Sequence, residues 1–206
     1  MQANLIVVGG PISVGKSTLV SSLGFPQINE LDENDKVQML FLENTYKKGR
    51  VAPEVIEHYF LQNRKQKYFE FSNTLQTHIF DRSIFESLWF AKGNMNSKSY
   101  KYFKKQWKSE IEDLIKTVGR PKLYILLTMN WNTFKERLFQ RGREVEVINF
   151  NENEEFFKKH IEEYEEHMTE VFKMFDINYV KIPTDNVFPE QISRIALEKI
   201  KGAQNA

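Results

Sequence analysis

The chain has 206 residues, enough for one domain with a sizeable core, and its 29 Lys and Arg against 28 Asp and Glu leave a net charge of +1. That near-balance argues against a protein that grips nucleic acid by bulk charge. The absence of Cys excludes disulfides and thiolate metal sites. No apolar run approaches the roughly 20 residues of a membrane helix, and Met1 leads straight into strand-forming residues, leaving no room for a cleavable leader. A soluble cytoplasmic protein without nucleic-acid or membrane partners is the expectation. The 17 Phe must mostly be core or pocket lining.

In chain order, Leu5-Ile6-Val7-Val8 is a short apolar run typical of a buried parallel strand, and residues 17–23 begin a helix. Gly24-Phe25-Pro26 is a turn, and 27–30 is a short strand ending in the carboxylate of Glu30. The acidic run from Glu30 to Asp35 opens a helix over 36–46, followed by the loop Lys47-Lys48-Gly49-Arg50. Pro53 suits a helix start, and Ile56 and Phe60 give residues 55–71 helical spacing. Residues 78–81 are a second buried strand, again ending in a carboxylate, Asp81. Helices are predicted over 84–90 and 98–117, and a strand over 123–128 that is nearly all apolar, as one covered on both faces should be. Asn132 caps a helix to Arg141, and Gly142 breaks it within a charged loop. Residues 154–175 read as one long amphipathic helix, 179–182 as a last strand, and Pro189 begins a C-terminal helix. Strands alternating with helices imply a parallel sheet with right-handed crossovers, whose ligands bind beyond the carboxyl ends of the strands. That rule gathers the segment after the first strand, Glu30 and Asp81-Arg82-Ser83 at one mouth.

Gly10-Pro11-Ile12-Ser13-Val14-Gly15-Lys16-Ser17-Thr18 reads G-x-x-x-x-G-K-[ST], the phosphate-binding P-loop, in the strand–loop–helix context the motif needs. Gly10 and Gly15 let the backbone curl so that successive N–H groups face phosphate oxygens, and the helix start adds partial positive charge. Lys16 would reach the outer phosphates, and Ser17 would offer its hydroxyl to Mg2+.

Other polar residues have two readings each. Asp81 can hold Mg2+ through water and Arg82 can stabilise a transferring phosphoryl group, or the two merely cap the next helix. Arg137, Arg141 and Arg143 suit a lid closing over triphosphate, or a solvated face paired with Glu136, Glu144 and Glu146. Glu30 is either a general base for a substrate hydroxyl or one more acid at a helix start. His58, His78, His160 and His167 show no metal-ligand spacing, and the last two lie a heptad apart on a charged helix face. Trp89, Trp107 and Trp131 read as packing.

Beyond the P-loop, four further segments carry a resemblance to the deoxynucleoside kinase family, especially its bacterial deoxyadenosine/deoxyguanosine kinase branch. They are Asn29-Glu30 with its acidic run, Tyr59-Phe60-Leu61-Gln62-Asn63-Arg64, Asp81-Arg82-Ser83-Ile84-Phe85-Glu86, and Arg137 through Arg143 with Glu146 after it. The P-loop is generic; the order and spacing of the other four is the specific part. The resemblance implies an α/β P-loop kinase fold, with one domain over 1–206, a central parallel sheet of about five strands flanked by helices, and an Arg-rich lid over about 141–150. It also implies an enzyme that phosphorylates the 5′-hydroxyl of a deoxynucleoside, purine favoured, with ATP and Mg2+, and that forms a homodimer. By position, Glu30, Arg82 and Lys16 would be catalytic, Glu30 as the base and Arg82 beside the hydroxyl. Gly10, Pro11, Ile12, Ser13, Val14, Gly15, Lys16, Ser17 and Thr18 would bind ATP together with Arg141 and Arg143, and Arg137 and Phe188 would sandwich its adenine. Glu30, Tyr46, Glu57, Arg82, Phe90 and Glu146 would bind the nucleoside, with Glu146 and Tyr46 at the sugar 3′-hydroxyl. Ser17 and Asp81 would serve Mg2+.

The chain departs from the family at four places: Leu31 follows Glu30 where Pro is usual, Glu57 replaces a base-reading Gln, Ser87 replaces a common acid, and Ser13 stands where a third P-loop glycine is frequent. An ionised Glu57 would favour two donors, such as the N1–H and N2 amino edge of guanine; a protonated Glu57, or one neutralised by Arg64, would not. The apolar stripe Phe103, Trp107, Ile111 and Leu114 serves either dimer pairing or an inward helix face. A monophosphate kinase resembling thymidylate kinase is the competing enzyme, but it needs extra cations, and here Asn29 and an acidic segment occupy that place. A P-loop switch without kinase activity is the remaining reading; a guanine-reading Asn-Lys-x-Asp is absent.

Overall fold

The computed structural model describes residues 2–32, 34–46 and 51–204, apart from the side chains of 42–46 and 144–146. Its centre is a five-stranded parallel sheet of β1 (Gln2–Gly9), β2 (Gln27–Ile28), β3 (His78–Asp81), β4 (Arg120–Thr128) and β5 (Tyr179–Pro183), in the order β2-β3-β1-β4-β5. Around it, in chain order, lie α1 (Lys16–Ser22), α2 (Lys36–Tyr46), α3 (Pro53–Ser72), α4 (Ser87–Asn94), α5 (Ser97–Val118), α6 (Trp131–Arg141), α7 (Glu144–Glu152), α8 (Glu154–Glu162), α9 (Tyr164–Phe175) and α10 (Pro189–Gln204). Successive strand residues point to opposite faces. Leu5 and Val7 therefore pack with Tyr68, Trp107 and Phe172 in one layer, while Ile6 and Val8 pack with Leu19, Phe134 and Ala196 in the other. The β1 register sets Val8 beside Asp81, so the P-loop and Asp81 leave the sheet at one level.

Several local expectations are corrected. The second strand stops at Ile28, which leaves Glu30 in the following loop rather than at a strand end. Residues 84–90 begin as a 3-10 turn, Ile84–Glu86, before α4. Asn130, not Asn132, caps α6: its side chain accepts from Thr133 N at 2.9 Å. The stretch after Gly142 is helical as α7, not a charged loop. The single helix expected over 154–175 is two, α8 and α9, meeting at Glu163. Along α5, Phe103, Trp107, Ile111 and Leu114 are buried within this chain, which settles that stripe as an inward face. Among the described residues, no helix is long and apolar enough to cross a membrane.

Candidate active site

The P-loop leaves β1 through Gly10, where a Cβ would stand 2.7 Å from Val14 Cγ1 and 2.9 Å from the Leu127 carbonyl oxygen. Gly15 adopts φ 101°, a left-handed conformation that favours glycine, just before α1. Ser13 adopts φ 62°, and its Oγ is buried without a hydrogen-bond partner. Lys16 Nζ donates to the carbonyls of Gly10 at 2.8 Å and Pro11 at 2.9 Å, bridging its own loop. Burial, reinforced by the Arg82 charge, pulls the Lys16 pKa down to about 8 despite the opposing attraction of Glu86, Asp81 and Glu30.

Ser17 at the start of α1 and Asp81 at the end of β3 meet as predicted: Ser17 Oγ donates to Asp81 Oδ2 at 2.7 Å. Asp81 Oδ1 is buried with no partner. A hydroxyl and a carboxylate with a spare oxygen fit Mg2+, which takes one or two protein oxygens and completes its shell with phosphate and water. No cluster of three or more acidic, His or Cys ligands occurs among the described residues.

Glu30 sits between two guanidiniums. Arg82 Nε donates to its Oε2 at 2.8 Å, and Arg64 Nη2 from α3 donates to its Oε1. Lys67 Nζ donates to the carbonyls of Asn29 and Glu30, each at 2.9 Å, pinning the loop to α3. The Glu30 side chain is 20% exposed. Burial alone would raise its pKa, but Arg82, Arg64 and Lys16 outweigh burial and bring it to about 2. Lys16 and Glu30 thus feel each other's charge across the mouth. Arg82 itself adopts φ 71°, a costly conformation for a non-glycine residue that surrounding contacts must hold. Phe90 lies beneath both guanidiniums, its ring centre 4.6 Å from Arg82 Cζ and 5.3 Å from Arg64 Cζ.

Glu57, one further residue of the buried face of α3, is 3% exposed, and Asn94 Nδ2 donates to its Oε1 at 2.6 Å. Burial raises its pKa, against the opposing pull of Asn94 and Arg64. Arg64 spends its two terminal nitrogens on Ser87 Oγ, at 2.9 Å, and on Glu30. It is therefore the partner of Glu30 first, and its effect on Glu57 acts through space.

The three predicted lid arginines divide. Arg137 is half-buried: Nη1 donates to the Val14 carbonyl at 3.0 Å and to Thr184 Oγ1 at 2.8 Å, and Nη2 to the Thr184 carbonyl at 2.7 Å. It braces the P-loop against the end of β5. Arg141 and Arg143 are exposed at the α6–α7 junction. Phe188 is 72% exposed just before α10. Pro11, Ile12, Val14 and Thr18 complete the P-loop, with Val14 buried in the core layer beneath it. The roles expected of Tyr46 and Glu146 fall on side chains outside those described, as does the loop over 47–50.

Sequence reasoning missed the second arginine on Glu30, the Asn94 contact and the buried Glu86. Arg64 carried a readable signal, a charged residue on the buried face of α3. The histidine reading also changes. His160 is buried on α8, accepting from Trp89 Nε1 at 2.9 Å, and burial brings its pKa down to about 3. It is not part of a solvated face.

Residues 6–201 match the family described as deoxynucleoside kinase. An uncharacterised protein of Mycoplasma pneumoniae is 38% identical over 97% of this chain and 90% of its own length. A deoxyguanosine kinase of Lactobacillus johnsonii is 26% identical over 78% of this chain and 74% of its own. In fold, the chain is similar to a deoxyadenosine kinase from M. mycoides solved with bound dATP. That likeness has a TM-score of 0.74 and 19% identity, covering 96% of this chain and 99% of the other.

Proposed function

Because this chain belongs to the deoxynucleoside kinase family, we propose that it moves the γ-phosphoryl group of ATP to the 5′-hydroxyl of a purine deoxynucleoside, with Glu30 accepting the hydroxyl proton. The observation that carries this reading is the Glu30 carboxylate held by Arg82 and Arg64, opposite Lys16 of the P-loop. Held by both arginines, the carboxylate presents an oriented acceptor to a neutral alcohol, while the P-loop takes the phosphates.

The mechanism follows from these groups. The P-loop amides and Lys16 take the phosphates of ATP. Arg82 and Arg64 orient the Glu30 carboxylate so that one oxygen can accept from the 5′-hydroxyl. A group with a pKa of about 2 is a weak base, but it is ionised at every working pH. In a loose phosphoryl-transfer transition state the nucleophile loses its proton late, so orientation counts more than basicity. Arg82 then faces the charge that develops on the transferring group. Mg2+ held by Ser17 and Asp81 would neutralise phosphate charge when bound. Phe188 offers an open ring face to adenine, while Arg137 acts by holding Val14. The reaction is that of a cytoplasmic enzyme of nucleotide salvage.

Glu57 in its ionised form supports a guanine preference; Asn94 and Arg64 favour that form, and burial works against it. The Glu57 carboxylate stands at the family's base-reading position with Asn94 against one oxygen. The name of the Lactobacillus relative points to the same base. The test is a panel of the four deoxynucleosides with Mg-ATP, repeated for Glu57→Gln. Deoxyguanosine is expected to be the best acceptor, and the variant to shift kcat/KM towards deoxyadenosine by about ten-fold, as for one exchanged hydrogen-bonding group. Phosphorylation of none of the four would end the proposal; an unchanged ranking in the variant would remove Glu57 from base selection.

A further inference from the structure

Glu86 takes no part in the mechanism above, yet its side chain is 0% exposed and four donors converge on it. Oε1 accepts from Gly10 N at 3.3 Å, from Arg82 Nη1 at 3.1 Å and from the Tyr164 hydroxyl; Oε2 accepts from Ser83 N at 3.3 Å. Gly10 is the entry to the phosphate loop. Arg82 continues the row to Glu30 through its Nε. A continuous hydrogen-bonded path, Gly10–Glu86–Arg82–Glu30, thus joins the ATP cradle to the acceptor carboxylate.

We propose that Glu86 is a positioning residue for phosphoryl transfer: it ties the first glycine of the P-loop to Arg82, so that the phosphate cradle and the acceptor-side guanidinium keep one fixed geometry, and Tyr164 of α9 completes the tie. This rests on the kinase reading above and names a residue for it. Every group facing Glu86 donates, and an ionised carboxylate is the side chain that accepts on both oxygens without presenting a hydrogen. A buried ion pair is a poor way to gain stability, since well-packed apolar residues often do as well. Its geometric consequence is sharper. Arg82 carries one carboxylate on Nη1 and another on Nε, and this two-sided hold fixes the direction of its guanidinium. Without Glu86, Arg82 is free to fold onto Glu30 alone and withdraw from the transferring group.

The test is Glu86→Gln, which keeps the shape but turns an N–H group towards at least one of the donors. Expected are a fall in kcat of about ten-fold or more and Mg-ATP binding weakened about five-fold by calorimetry, with the KM for nucleoside within about two-fold. In an Arg82→Lys background the same substitution should cost less than about two-fold further in kcat, because the effect passes through Arg82. If Glu86→Gln does not fold, Tyr164→Phe decides: a kcat loss of about three-fold or more supports the tie, and unchanged kcat overturns it. A lower melting temperature with kcat and ATP affinity unchanged, or full additivity with Arg82→Lys, also overturns it. Wild-type protein inactive on every nucleoside would sink the kinase reading instead, and the ATP-affinity measurement would still judge the tie.

Discussion

Arg82 Nε lies 2.8 Å from Glu30 Oε2, although 52 residues separate the two in sequence. The contact locks the loop after β2 to the end of β3, and Arg64 closes on the other carboxylate oxygen. Burial works to raise the Glu30 pKa, and the two arginines with Lys16 overcome it. A depressed carboxyl pKa contributes stability present above its unfolded value of about 4.5 and lost as pH falls towards about 2.

Arg64→Met leaves burial less opposed, so the Glu30 pKa should rise. In the wild type the acid limb of kcat set by Glu30 should lie below pH 3; in the variant it should move up towards pH 4–5, with kcat at pH 7.5 reduced about ten-fold. The pH–rate profile checks this, and an unmoved acid limb would contradict the clamp.

Lys16 titrates near pH 8 in the free protein, since burial favours its neutral form. Phosphate binding restores the charge. ATP affinity should therefore fall as pH rises above about 8, by up to ten-fold per unit. Calorimetry in buffers of differing ionisation heat should show proton uptake on ATP binding approaching one at pH 9 and none at pH 6.5.

Ser13 is a non-glycine residue at φ 62° with a buried, unpartnered hydroxyl. Ser13→Gly should relieve both costs and stabilise the protein by about 0.5–1 kcal/mol, read as a higher denaturation midpoint at unchanged slope.

His160 is held neutral by burial, with Arg82 and Lys16 reinforcing the effect, while the unfolded chain protonates near pH 6.5. A lowered histidine pKa makes the unfolded state the better proton binder between those values. Stability should then fall as pH drops from 6.5 towards 4, by up to about 1.4 kcal/mol per pH unit from His160 alone. His160→Gln, which still offers Trp89 an acceptor, should flatten that slope; urea melts at pH 7, 6 and 5 read the difference.

Periodic and local features were legible in the sequence. The alternation of Leu5, Ile6, Val7 and Val8 between two layers, and the glycines that bend the P-loop, depend on near neighbours. So was the meeting of Ser17 with Asp81, because the strand-end rule carries both to one mouth. Features made by distant chain segments were not. Arg64 reached Glu30 rather than Glu57 because Ser87 and Glu30 lie within its span once α3 packs on α4. Helical spacing grouped Arg137 with the other lid arginines, but its contacts with the Thr184 and Val14 carbonyls come from distant segments that spacing does not reveal. The break between α8 and α9 at Glu163 has neither Gly nor Pro to mark it, and Asn130 and Asn132 are equal capping candidates by residue type. His160 sat in a charged stretch, and only the packing of α8 against Trp89 buries it.

The role of Glu30 is tested most directly by steady-state turnover of Glu30→Gln with Mg-ATP and deoxyguanosine, alongside its ATP affinity. A glutamine keeps the shape and accepts from one guanidinium, but it cannot take the hydroxyl proton. Turnover reduced by about 10²-fold or more with ATP binding retained is the expected result; wild-type turnover in the variant would contradict it.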